Sequence, residues 1–206
     1  MFSGIDLRLA ELLAARLCHE LAGAITAATN GADLLGEPDL EVDRETLALV
    51  GDSARRAGSR LQFYRFAYGY GGNGDAAGPP PRELVAGYFA SSRIVCRYGQ
   101  DVGALLPMQQ KLACNLLAFG AEALARGGDI AIGVAASGLR LEVNGEGLSL
   151  TREQSLALAL KPRVAELTPH TVQAYFTALL AQVQGWRLVT AAAPNRLYIT
   201  ATPAAR

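Results

Sequence analysis

The chain of 206 residues is 50% hydrophobic and 18% charged, which is ordinary for a globular protein with a substantial buried core. Its 19 basic and 19 acidic side chains balance, so the sequence does not favour binding to nucleic acid or to an anionic membrane surface. No apolar stretch approaches the roughly 20 residues that span a bilayer. Because the N-terminus lacks the pattern of an export signal and the three cysteines lie far apart, we expect reduced thiols in a cytoplasmic protein.

Two long helical patterns open the chain. The first runs from Ile5 to Leu35, is interrupted at residues 36–39 (Gly-Glu-Pro-Asp), and is followed by a second from Glu41 to Tyr68. Together they predict an antiparallel helical hairpin, which we assign to a domain of residues 1–70. The apolar positions of the two patterns are Leu13, Leu17, Leu21, Ala24, Ile25, Ala28, Ala32 and Leu35, and then Leu47, Val50, Ala54, Ala57, Leu61 and Tyr64.

A Gly- and Pro-rich stretch, GYGGNGDAAGPPP from residue 69 to residue 81, follows the hairpin. Such a composition does not continue a helix and suits a linker, which we place at residues 71–81. Residues 82–206 then form a second domain, predicted as an α+β sandwich. Its expected helices span 82–90, 107–125, a short segment from Thr151, and 168–184, the last opened by Thr168-Pro169; its expected strands span 94–98, 130–135, 139–143, 186–191 and 197–202.

His19 is the candidate functional residue of the first helix. It points away from the apolar face, so we expect it to be exposed. A neutral imidazole nitrogen is a competent nucleophile that can accept a phosphoryl group. The alternative is an ordinary surface or core histidine, so its neighbours decide. The residues that share its face at helical intervals are Leu12, Arg16, Gly23, Thr26 and Asn30.

Three of the neighbours of His19 have types that suit phosphoryl transfer. Arg16 would balance the charge of the phosphoryl group, and Glu20 would accept a hydrogen bond from one ring nitrogen. Glycine in a helix interior lowers helix stability by about 1 kcal/mol relative to alanine, so Gly23 should bring a compensating gain. That gain is either clearance for a docking protein or close packing of the helices. Glu20 also has the simpler interpretation of a solvated helix charge.

The segment Cys18-His19-Glu20-Leu21 resembles the phosphorylated motif of histidine kinases, and the longer run LAARLCHELAGAITAATNGADLL, residues 13–35, is similar to ChpT-type histidine phosphotransferases. This resemblance implies that His19 is phosphorylated and that two hairpins form a dimeric four-helix bundle. It further implies that the second domain resembles a degenerate GHKL, or histidine-kinase, ATP-binding domain.

Three ATP-binding features of such kinase domains are altered here. In the run Asn115 to Gly120, Phe119 replaces an asparagine that would meet magnesium, and Val143 replaces the carboxylate that reads adenine. The segment between Gly147 and Thr168, where kinases carry a glycine-rich lid, has no glycine. We therefore expect no cofactor and no metal, and we interpret residues 145–147 (Gly-Glu-Gly) as a turn.

If the two helices are antiparallel and the turn is centred at Glu37-Pro38, His19 lies level with about residue 56 on the second helix. Arg55, Arg56 and Arg60 would then lie near His19, and they are candidate docking cations for the acidic site of a receiver domain. Solvated helix arginines are an equally good interpretation. The other histidine, His170, lacks this context and is assigned a structural role.

The function predicted from these features is histidine phosphotransfer within a multistep phosphorelay, without ATP. His19 would take phosphate from the receiver domain of a hybrid histidine kinase and pass it to response regulators, with Gly23 and Thr26 in the docking surface. The second domain would either dock receivers or only scaffold the bundle. Two other functions stay open: an active ATP-dependent histidine kinase, and a non-catalytic module that binds a kinase.

Overall fold

The computed structural model describes residues 7–36, 44–69, 78–135 and 138–204. These ranges contain six α-helices and five strands in a mixed arrangement, as the predicted α+β class requires. The helices are α1 (Leu7–Leu35), α2 (Arg44–Tyr68), α3 (Pro81–Phe89), α4 (Pro107–Glu122), α5 (Arg152–Leu158) and α6 (Val172–Val183). The strands are β1 (Ile94–Tyr98), β2 (Gly128–Ala135), β3 (Gly138–Asn144), β4 (Trp186–Ala193) and β5 (Arg196–Pro203).

The helical hairpin is confirmed. Arg60 of α2 contacts Glu20 of α1, and Val50 lies against Gly31, so the two helices run antiparallel. Gly31 is buried and a Cβ at this position would collide with the Val50 side chain, so glycine permits the close approach of the helices here. None of the helices within the described ranges is both long enough and apolar enough to cross a membrane.

The five strands form one sheet in the order β1-β2-β3-β5-β4, in which β1 is parallel to β2 and the other neighbours are antiparallel. Side chains alternate along β3: Leu139, Leu141 and Val143 are buried, whereas Arg140 between them is exposed. The buried side of the sheet packs against α4, whose Gly120 would place a Cβ 2.7 Å from Ile130 Cδ1. One face of the sheet is therefore covered by helices.

One hydrophobic core joins the hairpin to the C-terminal region. Phe63, Tyr64 and Ala67, near the end of α2, are buried in the same cluster as Leu116 of α4 and Ile130 of β2. A second, smaller cluster joins Leu12 of α1 to Leu167 and Val172. Both helices of the hairpin thus pack against residues of the predicted second domain, and the domain boundaries themselves stay a prediction.

Most elements lie where the sequence predicts them, with one displaced start. Thr151 caps α5 as expected, since its hydroxyl accepts a hydrogen bond from Gln154 N at 3.1 Å. The helix predicted from Thr168 begins instead at Val172. Thr168 lies in a turn in which its carbonyl accepts from the N–H groups of Thr171 and Val172 at 3.1 and 3.0 Å. The predicted 71–81 linker lies outside the described residues from 71 to 77.

Candidate functional site

His19 is exposed on α1, as its position opposite the apolar face predicts. In the described part of the chain no hydrogen bond or ion pair engages its ring. The side chain is therefore open to solvent and to a partner protein. An accessible nitrogen is the first requirement for a histidine that acts as a nucleophile.

Glu20, the next residue, is held by α2. Arg60 Nη1 lies 3.1 Å from Glu20 Oε2 and donates a hydrogen bond of 2.8 Å to the Glu20 carbonyl oxygen. The expected partner of this carboxylate was the His19 ring, but in the structure its partner is Arg60. The guanidinium of Arg60 also lies 5.9 Å from the centre of the Tyr88 ring. Arg60 is thus part of the packing between α1, α2 and α3.

Arg16 is largely buried, and its expected place on the exposed face is wrong. Its side chain is 10% exposed, its Nη2 lies 2.6 Å from Glu122 Oε1, and its Nε donates a hydrogen bond of 3.1 Å to Tyr68 Oη. The reason is that the C-terminal region covers this part of α1. Burial opposes its charge, but the Glu122 carboxylate raises the pKa of Arg16 above its ordinary value. Burial, only partly offset by Arg16, raises the pKa of Glu122 to about 7.

The face that carries His19 is divided into a covered half and an open half. Leu12, two turns before His19, is 4% exposed and packs against Leu167 and Val172. On the other side Gly23, Thr26 and Asn30 are all exposed. The accessible surface around His19 therefore extends toward the C-terminal end of α1.

Gly23 lies in this open half. A Cβ at this position would meet no atom of the described residues within 4 Å. Close packing within the chain, one of the two interpretations of this glycine, is therefore not its role in the single chain. The absence of a side chain instead lowers the surface one turn after His19.

The candidate docking cations differ in their surroundings. Arg55 and Arg56 are exposed, and Arg55 forms an ion pair with Asp52. Since Arg60 pairs with Glu20, residue 19 lies about one helical turn further along α2 than the predicted level of residue 56. The contacts of Arg60 with Glu20 and of Val50 with Gly31 centre the hairpin at about residue 40, later than residues 37–38.

The residues matched to ATP-binding motifs are core residues. Phe119 is 1% exposed, and Val143 lies in β3 between Ile130 and Leu197. Asn115 is fully buried; its Nδ2 donates to the carbonyl oxygen of Ala67 at 2.8 Å.

Two other features bear on ligands. Among the described residues no group of three or more His, Cys, Asp or Glu side chains is placed to hold a metal ion. A groove of about 390 Å³ lies between α3 and β1 and is lined by residues of those two elements and by Ala90 between them, so it does not include the His19 face. His170 is exposed.

Sequence reasoning missed four side chains that contact Arg16 directly or through one another: Tyr68, Asn115, Glu122 and Gln173. They come from three helices and are separated by up to 105 positions in the chain. No local pattern marks such residues. The only signal was Leu12, an apolar residue on an otherwise polar face, which indicates that something covers that face.

The chain is similar to known phosphotransferases in both sequence and structure. Residues 81–196 match the family model described as the histidine phosphotransferase C-terminal domain. The chain is 33% identical over 195 residues to the protein phosphotransferase ChpT of Brucella abortus (strain 2308), with 88% of this chain and 89% of that protein covered. A solved structure of a bacterial phosphotransferase is 28% identical and aligns with a TM-score of 0.77 over 98% of both chains. The similarity thus includes the hairpin and the C-terminal region together.

Proposed function

Because this chain belongs to the ChpT-type histidine phosphotransferases, we propose that His19 accepts a phosphoryl group from a receiver-domain aspartate and passes it to response regulators. The observation that carries the proposal is the exposure of His19. Its ring is free, whereas Arg16, about one turn before it, is bound to α4 and Glu20, directly after it, is bound to α2. The proposed donor is the receiver domain of a hybrid histidine kinase, and the proposed location is the cytoplasm.

The chemistry needs only a free nitrogen and in-line approach. One ring nitrogen attacks the phosphorus of the aspartyl phosphate, an N–P bond forms as the P–O bond breaks, and the aspartate leaves as a carboxylate. The second step reverses these events with the aspartate of another receiver. The open surface at Gly23 and Thr26 gives a receiver room to bring its aspartate to the ring.

The proposal includes no step with ATP. It is supported by Phe119 and Val143, which occupy the positions matched to the kinase magnesium and adenine motifs and are buried in the core. It is also supported by Leu167, since the segment that replaces the kinase lid packs against α1. The competing function, an ATP-dependent kinase, requires saturable ATP binding and labelling of His19 from ATP alone.

We also propose that the protein is a homodimer. Three large apolar side chains of the hairpin stay about half exposed in the single chain: Ile25 (51%), Leu47 (51%) and Leu61 (51%). Two hairpins that share these side chains would complete a four-helix bundle with two His19 sites. Leu47→Glu combined with Leu61→Glu is expected to halve the mass in sedimentation equilibrium, whereas Val189→Glu, on the sheet, is expected to leave it unchanged.

The experiment that tests the function uses the two histidines of the chain as a matched pair. Purified protein is mixed with a receiver phosphorylated with labelled phosphate, and label on the protein is followed with time. We expect labelling of the wild type and of His170→Ala but none of His19→Ala. Absence of label on the wild type, or its presence on His19→Ala, would contradict the proposal. Labelling from ATP without a receiver would favour the kinase, and labelling from neither source the non-catalytic module.

A further inference from the structure

A buried polar network connects the His19 helix to the C-terminal region. It consists of Arg16, Tyr68, Asn115, Gln173 and Glu122, and hereafter we call these five residues the polar network. They come from α1, α2, α4 and α6. Asn115 and Gln173 are fully buried, and Arg16 is almost so. Buried polar groups are costly unless they are bonded, so a network of this kind favours one arrangement of the helices that contribute to it.

The first part of the polar network holds α1. Arg16 contacts Glu122 of α4 with Nη2 and Tyr68 of α2 with Nε. Arg16 lies three residues before His19, less than one helical turn away. On the other side of His19, Glu20 is paired with Arg60 of α2. The turn of α1 that carries His19 is therefore bound on both sides, while the His19 ring itself stays free.

The second part extends from Tyr68 into the C-terminal region. The Tyr68 hydroxyl donates to Gln173 Oε1, and Gln173 Nε2 donates to Asn115 Oδ1 at 3.1 Å and to Asn115 O at 3.2 Å. Asn115 Nδ2 then donates to the carbonyl oxygen of Ala67, which lies next to Tyr68. The bonds thus form a closed path from α2 through α6 and α4 and back to α2.

The end of α2 receives a further bond from α4. Lys111 lies one turn before Asn115 on α4. Its Nζ donates a hydrogen bond to the carbonyl oxygen of Gly69. The last carbonyl groups of a helix have no partner within it, and here a side chain of α4 binds that of Ala67, while a second binds the carbonyl of Gly69, the residue after the helix. The C-terminal region is thus attached to α2 at the point where the helix ends.

We propose that the polar network makes Tyr68 and Glu122 positioning residues for phosphotransfer, which hold the His19 turn of α1 in a fixed orientation through Arg16. This inference rests on the proposed function and deepens it. The C-terminal region then serves the site through its buried polar side chains, and Asn115, at the position of a kinase motif, acts as a connection between helices. Transfer depends on in-line approach, so a small reorientation of α1 lowers the rate of the chemical step.

Tyr68→Phe is the test variant, because it removes only the hydroxyl that joins Arg16 to Gln173. Tyr198→Phe, on the sheet, is the matched control, and Glu122→Gln is a second variant that removes the charge but keeps the shape. Single-turnover transfer is measured over a range of phosphorylated receiver concentrations. We expect Tyr68→Phe and Glu122→Gln to lower the maximal rate about tenfold while the half-saturating concentration stays within about twofold of the wild type.

Hydrogen exchange of the α1 amides from residue 15 to residue 22 gives a readout that does not depend on transfer. Faster exchange in Tyr68→Phe, with wild-type exchange in Tyr198→Phe, is expected. Wild-type exchange together with a wild-type maximal rate in Tyr68→Phe would overturn this inference and leave the proposed function intact. A loss of transfer caused only by weaker receiver binding would also overturn it. Failure of the wild type to transfer at all would instead contradict the proposed function.

Discussion

The two halves of the His19 face differ in what covers them. Toward the start of α1, Leu12 and Arg16 are covered by the C-terminal region, whereas Gly23 and Thr26, beyond His19, are open to solvent. The periodicity of the helix is the same in both halves, so the difference comes from tertiary packing alone. One helix face can therefore stabilise the fold on one side of a reactive residue and give a partner access on the other.

The largest effect is expected in the open half. Gly23→Leu would place a bulky side chain one turn after His19, where a Cβ meets none of the described residues within 4 Å, and would exclude a docking receiver. We expect transfer to fall by about 100-fold or more. The free energy of unfolding should be unchanged or rise by up to about 1 kcal/mol, because glycine is a poor helix former. Gly23→Ala is the control, and transfer by Gly23→Leu at the wild-type rate would refute the idea of clearance.

In the covered half, substitution is expected to lower the stability of the fold. Leu12→Ala removes a buried side chain that packs against Leu167 and Val172. We expect the free energy of unfolding to fall by about 2–4 kcal/mol in urea denaturation. Leu7→Ala, at a 69% exposed position of the same helix, should have little effect. Equal stabilities of the two variants would show that the C-terminal region does not cover α1 at Leu12.

A smaller effect concerns pH. The pKa of Glu122 is raised from an ordinary 4.5 to about 7 by burial, so between these values the folded state holds a proton that the unfolded state has released. Stability should therefore fall as pH rises from about 4.5 to 7, by about 1–3 kcal/mol from this residue. Thermal denaturation of the wild type and Glu122→Gln across this range measures it. If the two proteins show the same slope, Glu122 does not titrate in this way.

The smallest effect is expected at the exposed arginines. Replacing Arg55 and Arg56 by glutamate would reverse two charges near the open half, whereas Arg187→Glu reverses one exposed charge on β4. We expect the first change to slow receiver association about tenfold at low salt and much less at high salt, since exposed charges are screened. Stopped-flow association rates decide it; a rate independent of this substitution would leave these arginines as solvated helix charges.

Sequence patterns were sufficient for the elements and for the exposure of His19, because both depend on local periodicity. The family resemblance, carried by residues 13–35, is confirmed by the comparisons. The predicted level of His19 on α2, near residue 56, was wrong by about a turn, since the length of the connection between α1 and α2 has no periodic signal. The burial of Arg16 could not be predicted either, because its partners Tyr68 and Glu122 reach it only in the folded chain.

The central claim is that His19 is an intermediate carrier, which both accepts and releases phosphate. Protein labelled at His19 by a first receiver is separated from it, washed free of nucleotide, and mixed with a second, unphosphorylated receiver. We expect label to leave His19 and to appear on the second receiver at a matching rate, without ATP. Label that stays on His19, or that leaves it only as free phosphate, would contradict the account.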